Sequence, residues 1–182
     1  MTTPPQRAMT PGEPVAARIS HGDLPPGLFA AYSRERRVAW DIETTGLDWQ
    51  RDALGTCQLH APDVGATVIS VSDAKPARLT RLLGDPAVQK VFHHAPFDLR
   101  FMIRAWGIVP ASIRCTKVAS KLLQPHAPGD EHTLKRLTWR HLGVHLDKAP
   151  SAPATGLLAN SAPSRSFMRP VTSCICCRCS TA

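Results

Sequence analysis

Short apolar runs separated by turn residues set the order of predicted elements along the chain. Residues 36–42 predict a strand. Residues 55–60 and 66–71 predict two more, parted by the turn-like Ala61-Pro62-Asp63-Val64-Gly65. Leu79, Leu82 and Leu83 recur at helical spacing, so residues 76–83 predict a short helix with Gly84 as its stop. Residues 90–93 predict a buried strand. Residues 96–106 predict a helix with Pro96 in its first turn, Phe97, Phe101, Ile103 and Trp106 as apolar contacts and Gly107 at its end. A final strand over 113–116, a helix over 117–123, a Pro/Gly/Asp loop and a helix over 133–142 follow. On that last helix Leu134, Leu137 and Leu142 make an apolar stripe, with Lys135, Arg136 and Arg140 elsewhere. Three strands and then alternating helices and strands predict an α/β domain with a mixed sheet.

The ends differ from this middle. Residues 1–18 read as a disordered leader, given Pro4, Pro5, Pro11, Gly12 and Pro14. After Lys148 no helical or strand period survives, and residues 149–182 contain no Asp, Glu, Trp or Tyr. The organisation expected is a leader, a domain over 19–148 and an aberrant, disordered tail over 149–182. The chain has 182 residues with 43% apolar content, enough for one domain with a core of its own. No apolar run reaches 18 residues and no secretory signal opens the chain, so neither a membrane partner nor export is expected, and the cytoplasm is the expected location. Net charge is +8 with a pI of about 9.6, which suits a polyanionic partner. Cys57 and Cys115 stand alone beside apolar residues and read as small buried hydrophobes rather than disulfide partners.

The chemistry concentrates in Val38-Ala39-Trp40-Asp41-Ile42-Glu43-Thr44-Thr45-Gly46-Leu47-Asp48. Side chains on a strand alternate faces, so Asp41 and Glu43 point the same way, with Cα atoms roughly 6.6 Å apart. Such a pair can grip one hard divalent cation from two sides or share a carboxylate between two cations. A third carboxylate, Asp98, falls in the first turn of its predicted helix in Lys90-Val91-Phe92-His93-His94-Ala95-Pro96-Phe97-Asp98-Leu99. The helix dipole favours an anion there. Asp98 taken by itself reads as a solvated helix-start residue rather than a site residue.

Together these motifs resemble the DEDD superfamily of 3′–5′ exonucleases, and ribonuclease D in particular. The first family motif, Asp-x-Glu followed by Thr, is Asp41-Ile42-Glu43-Thr44. The second, Asn-x-x-(Phe/Tyr)-Asp, is His94-Ala95-Pro96-Phe97-Asp98, with His in place of Asn. Gln58 in Thr56-Cys57-Gln58-Leu59 and the stretch His132-Thr133-Leu134-Lys135-Arg136-Leu137 also look like the family. The resemblance implies an RNase H-like mixed sheet flanked by helices. It implies metal-dependent removal of nucleotides from 3′ ends, with RNA favoured over DNA as substrate and no protein partner. It implies two divalent cations, Mg²⁺ or Mn²⁺, about 4 Å apart. Asp41, Glu43 and Asp98 would be catalytic and metal-holding, with Asp41 bridging. Thr44 would touch the terminal nucleotide, Leu47 wedge at its bases, Phe97 pack near the terminal sugar, and His94 replace the Asn contact through its ring nitrogens. Arg100, Arg104, Lys135, Arg136 and Arg140 are candidates for phosphate contacts or plain solvated charges.

The family's third motif, Tyr-x-x-x-Asp or His-x-x-x-x-Asp, is missing. His126 and Asp130 are separated by one residue too few, and no carboxylate side chain follows Asp147. The C-terminal helix is therefore expected to be missing or scrambled and the chain to be a weak or dead enzyme. A non-catalytic nucleic-acid-binding remnant is the alternative. Four cysteines in Cys174-Ile175-Cys176-Cys177-Arg178-Cys179 lack the second half of a zinc site, which counts against a metal knuckle. A translational frameshift accounts for the tail better. Read back one base, codons for Phe167-Met168 can give Tyr-Ala, and those for Val171-Thr172-Ser173 can give Asp-Val, restoring Tyr-x-x-x-Asp at the head of a Leu-rich helix. Sequencing the encoding DNA beyond Lys148 checks this expectation, and codons that cannot yield those residues rule it out.

Overall fold

The computed structural model describes residues 16–146 except Asp73. The tail expected over 149–182, the scrambled last helix and most of the leader lie outside the described residues. The strands are β1 (Ala17–His21), β2 (Arg37–Thr44), β3 (Leu54–Ala61), β4 (Gly65–Ser70), β5 (Gln89–Phe92) and β6 (Ile113–Cys115). The helices are α1 (Pro26–Tyr32), α2 (Ala77–Gly84), α3 (Ala95–Trp106), α4 (Thr116–Leu123) and α5 (Leu134–Leu142), with a short 3-10 helix at Gly129–His132 before α5. The strands form one sheet in the order β1-β4-β3-β2-β5-β6. β3 runs antiparallel to β2 and β4, while β1 pairs with β4, β5 with β2 and β6 with β5 in parallel. The predicted α/β mixed sheet flanked by helices is the fold observed.

Alternation along β2 explains the layering. Val38, Trp40 and Ile42 enter the main core, with Trp40 stacked against Phe92 at 6.3 Å between ring centroids. α1, α2 and α3 cover that face through Tyr32, Leu79, Leu82, Leu83, Phe101, Met102 and Trp106. Ala39 points to the opposite face, where it meets Val91 and the partly buried Leu134 of α5. Asp41 and Glu43 share the face of Ala39 by the same alternation. An eight-residue helix such as α2 is too short to persist in water. Burial of its three leucines, roughly 1.5–3 kcal/mol each, holds it in place. Asp23 caps it from afar, its carboxylate accepting from the N–H groups of Arg78 at 2.9 Å and Leu79 at 3.0 Å.

Two elements depart from the pattern expected of the sequence. β1 begins inside the expected leader and adds an edge strand to the sheet, and α1 follows it. β2 also runs past residue 42 to Thr44, so Glu43 lies within the strand. α4 buries none of its residues and leaves Val118, Leu122 and Leu123 exposed. Cys57 is free and buried, and burial pushes its thiol further up; Cys115 is free and half-buried. Among the described residues no helix is long and apolar enough to cross a membrane.

One polar group ties three elements together inside the core. The Tyr32 hydroxyl lies 2.9 Å from Thr67 Oγ1, 3.0 Å from the Gly65 carbonyl and 3.2 Å from the Leu59 carbonyl. Tyr32→Phe leaves the packing intact but strands these acceptors. It is expected to lower stability by about 1–2 kcal/mol, read as a lower urea midpoint with an unchanged m value.

Candidate active site

The end of β2 is shaped by a bulge. Its register with β3 runs Asp41–Gln58, Ile42–Cys57 and Glu43–Thr56, then shifts so that Thr44 faces Leu54. Gly55 is the residue passed over, and a Cβ there would come within 3.3 Å of the Glu43 carbonyl oxygen. The bulge turns the strand into a loop that is bonded to itself. Thr44 Oγ1 donates to the Gly46 carbonyl at 2.6 Å, Ala53 N–H donates to Thr45 Oγ1 at 2.9 Å, and Asp48 N–H donates to Asp52 Oδ2 at 2.8 Å. Gly46 lets the Asp52 carboxylate pack close against the turn, since any Cβ there would push that carboxylate aside. Arg104 of α3 then clamps the loop from outside, donating to the carbonyls of Trp49 at 2.7 Å and Asp52 at 3.0 Å. The loop so fixed presents Leu47 almost entirely to solvent, at 84% exposure.

The second motif arrives from β5. That strand pairs with β2 only as far as Ala39 and ends at Phe92. His94 turns the chain through a left-handed conformation, φ 77°, and α3 begins at Ala95. Asp98, in the first turn of α3, is only 3% exposed. Burial above all, then the neighbouring Asp41 and, less, Glu43 raise the Asp98 carboxyl to about 8, while the backbone N–H groups of Asp98 itself and of Ile42, the residue between Asp41 and Glu43, hold the rise back. The third carboxylate therefore lies within electrostatic reach of the first two.

Glu43 is exposed, Asp41 half-buried and Asp98 buried. Among the described residues no three His, Cys, Asp or Glu side chains close into a ready metal cage. The donor chemistry nonetheless suits a hard divalent cation: three carboxylate groups repel one another at one place, and a cation relieves that repulsion. Across the strand from Asp41, the buried Oε1 of Gln58 has no hydrogen-bond partner, while its Nε2 donates to Thr56 Oγ1 at 2.7 Å. An unmet acceptor beside Asp41 marks a place built to face a ligand.

The other expected contacts divide. Phe97 packs against Phe101 at 5.1 Å between ring centroids. His94 is exposed, and burial together with Lys117, Lys121 and Arg100 holds its imidazole below the usual range. Half-buried next to it, His93 is pushed down to about 4 and shares a 2.8 Å hydrogen bond with Thr116 Oγ1. Arg104 is a loop clamp rather than a free phosphate contact, a role its spacing on the helix gave no sign of. Arg140 is likewise engaged, with Glu131 and with Gln124 Oε1. Arg136 pairs with Glu131 at 3.4 Å, and Arg100 and Lys135 are exposed. His145 stacks on Trp139 at 3.9 Å instead of pairing with His141. An open cleft of about 370 Å³ beside that stack shares no lining residue with the carboxylates.

Residues 19–166 match a family model described as 3′–5′ exonuclease. Solved structures similar to the chain include NrnC of Brucella melitensis bound to pGG, at 34% identity and a TM-score of 0.68, covering 80% of this chain and 70% of that one. The same protein with bound Mg²⁺ matches at 34% identity and a TM-score of 0.66, covering 79% and 69%. Escherichia coli RNase D shares the fold at 21% identity and a TM-score of 0.60, covering 74% of this chain and 35% of its own. No curated protein matches the chain. The sheet described above is thus an RNase H-like fold.

The charge on Asp98 gives a test in metal-free protein. A carboxyl whose folded pKa is raised adds full stability below its unfolded value of about 3.8, and that stability drains away as pH climbs through about 8. Asp98→Asn mimics the neutral form. It is expected to raise stability at pH 8 by on the order of 1–3 kcal/mol, with the gain shrinking toward pH 4. Thermal melts in EDTA across that range read it, and a gain that grows on acidification contradicts the electrostatic assignment.

Proposed function

The chain belongs to the 3′–5′ exonuclease family, and we propose that it descends from a metal-dependent enzyme that trims nucleotides from the 3′ ends of RNA. The observation that carries this reading is the placement of buried Asp98, at the start of α3, within electrostatic reach of Asp41 and Glu43 at the end of β2. A relative 34% identical carries Mg²⁺ in one structure and pGG in another, which supports a divalent cation and a short nucleic acid at this place.

Asp41, Glu43 and Asp98 would hold the cations. When bound, two such ions lower the pKa of an attacking water and stabilise the departing 3′ oxygen. The remaining roles fall to the chain itself. Asp98 must surrender its proton before it can serve as a ligand, so cation binding weakens as pH falls below about 8. Thr44 has committed its hydroxyl proton to Gly46, which leaves its oxygen to accept from the terminal nucleotide. Leu47 stands clear of the surface on a clamped loop, the geometry an apolar wedge against a base needs. His94 and Phe97 flank Asp98 and bracket the end of the strand being trimmed.

The missing third motif makes this chain a poor catalyst. Loss of one metal-holding carboxylate costs on the order of 100-fold or more. The same missing motif favours a second reading, a nucleic-acid-binding remnant that has lost hydrolysis. Both are decided by one assay on 3′-labelled and 5′-labelled RNA in Mg²⁺ or Mn²⁺. The 182-residue chain is expected to trim slowly or not at all. A version whose tail is replaced by the shifted-frame sequence is expected to shorten RNA from the 3′ end, and Asp41→Asn to abolish that. Rapid trimming by the unaltered chain refutes the impairment. Salt-sensitive binding with no trimming by either version refutes the enzyme reading and leaves the binding one.

A further inference from the structure

We propose that His94, Arg100, Lys117 and Lys121 form a phosphate-binding cluster beside the carboxylates. The inference rests on the nucleic-acid reading above and goes further by assigning Arg100, Lys117 and Lys121, which no family motif covers. β5 and β6 pair in parallel, Phe92 opposite Cys115, and each strand is followed at once by a helix. Continuing that register sets His93 beside Thr116, where their 2.8 Å hydrogen bond is found, and His94 beside Lys117. Lys121 lies four residues further along α4, on the same face and one turn on. Arg100, exposed on α3 six residues after His94, acts electrostatically on it together with both lysines.

Three features of the cluster point to a phosphate. Among the described residues, Arg100, Lys117 and Lys121 enter no ion pair and no hydrogen bond. Cations held near one another repel, and an anion between them removes that cost. The N-termini of α3 and α4 start here and neither is capped by a side chain, so both helix dipoles add to the positive potential. The cluster also sits past the carboxyl ends of parallel strands, one helical turn from Asp98, so a substrate held there lies against the metal-holding edge. A phosphate matches this set because bidentate Arg and point-charge Lys both recognise its oxygens. The group bound is either an internal phosphodiester or a terminal 5′-phosphate.

Calorimetric binding of two four-nucleotide RNAs, identical except for a 5′-phosphate, separates these sources. EDTA keeps the RNA whole, and each titration is run at low and moderate salt. The full chain carrying Lys117→Gln and Lys121→Gln together is expected to bind at least tenfold more weakly. Its log affinity should fall less steeply with log salt, by about 0.7 for each phosphate no longer neutralised. Lys117→Arg with Lys121→Arg should restore both quantities. A loss confined to the 5′-phosphorylated RNA assigns the terminal phosphate, and an equal loss for both RNAs assigns an internal one. Lys121→Gln alone, at an exposed position, should give a partial loss, and unchanged thermal melts separate weakened binding from a damaged fold. Wild-type affinity and salt slope in the double Gln variant overturn the proposal whatever the trimming assay shows. Lysine-dependent binding without trimming leaves it standing while the enzyme reading falls.

Discussion

The nearness of Asp98 to the end of β2 connects two halves of this domain that are distant in sequence. β2 supplies Asp41 and Glu43, and α3, packed on the opposite face of the sheet, supplies Asp98. Asp98 can come close because β5 stops short. Had β5 continued alongside β2, a strand would occupy the space that Asp98 fills. The early turn at His94 and the start of α3 are therefore as much a part of the site as the acids are.

The arrangement is costly without a cation. Asp98 is drawn out of water and placed near two other acids, and its raised pKa measures that cost. Sites of this kind hold functional groups in positions the fold alone would not favour. The surrounding structure supplies the means to tolerate it. Trp40, Phe92 and Ile42 form a dense base beneath the acids, and the self-bonded loop over 44–53 fixes the rim. Positive charge from Arg100, Lys117 and Lys121 acts on His94, four residues before Asp98, so the domain sets cation-seeking and anion-seeking groups next to each other.

Much of this was legible in the residues. The central strands β2, β3, β4 and β5 each carry a compact apolar run, and α3 is bounded by Pro96 near its start and Gly107 at its end, so both were predictable. Asp41 and Glu43 could be singled out by their spacing on one strand face, and Asp98 by its place in a motif that resembles the family's second. β1 and α1 could not. β1 is an edge strand with most of its side chains half-exposed or exposed, so Ala-Arg-Ile-Ser-His shows no clean alternation. α1 has seven residues and opens on Pro-Gly, too short to display a helical period. The clamp by Arg104 was invisible for another reason. Its partners are carbonyl groups of the loop over 49–52, and backbone acceptors leave no trace in the identity of the residues that carry them. The unmet acceptor of Gln58 is likewise a property of the cross-strand register.

His94 shows how the main chain decides which residues can carry a contact. At φ 77° most side chains collide with their own backbone, while Asn, Asp, His and Gly are tolerated far better. Asn, the usual residue of the motif, and His are both on that short roster. An exchange between them leaves the bend into α3 undisturbed and replaces only the tip that faces outward, a carboxamide giving way to an imidazole. Such a position can drift chemically while the scaffold stays still, whereas Val or Ile there would unseat Asp98 four residues downstream.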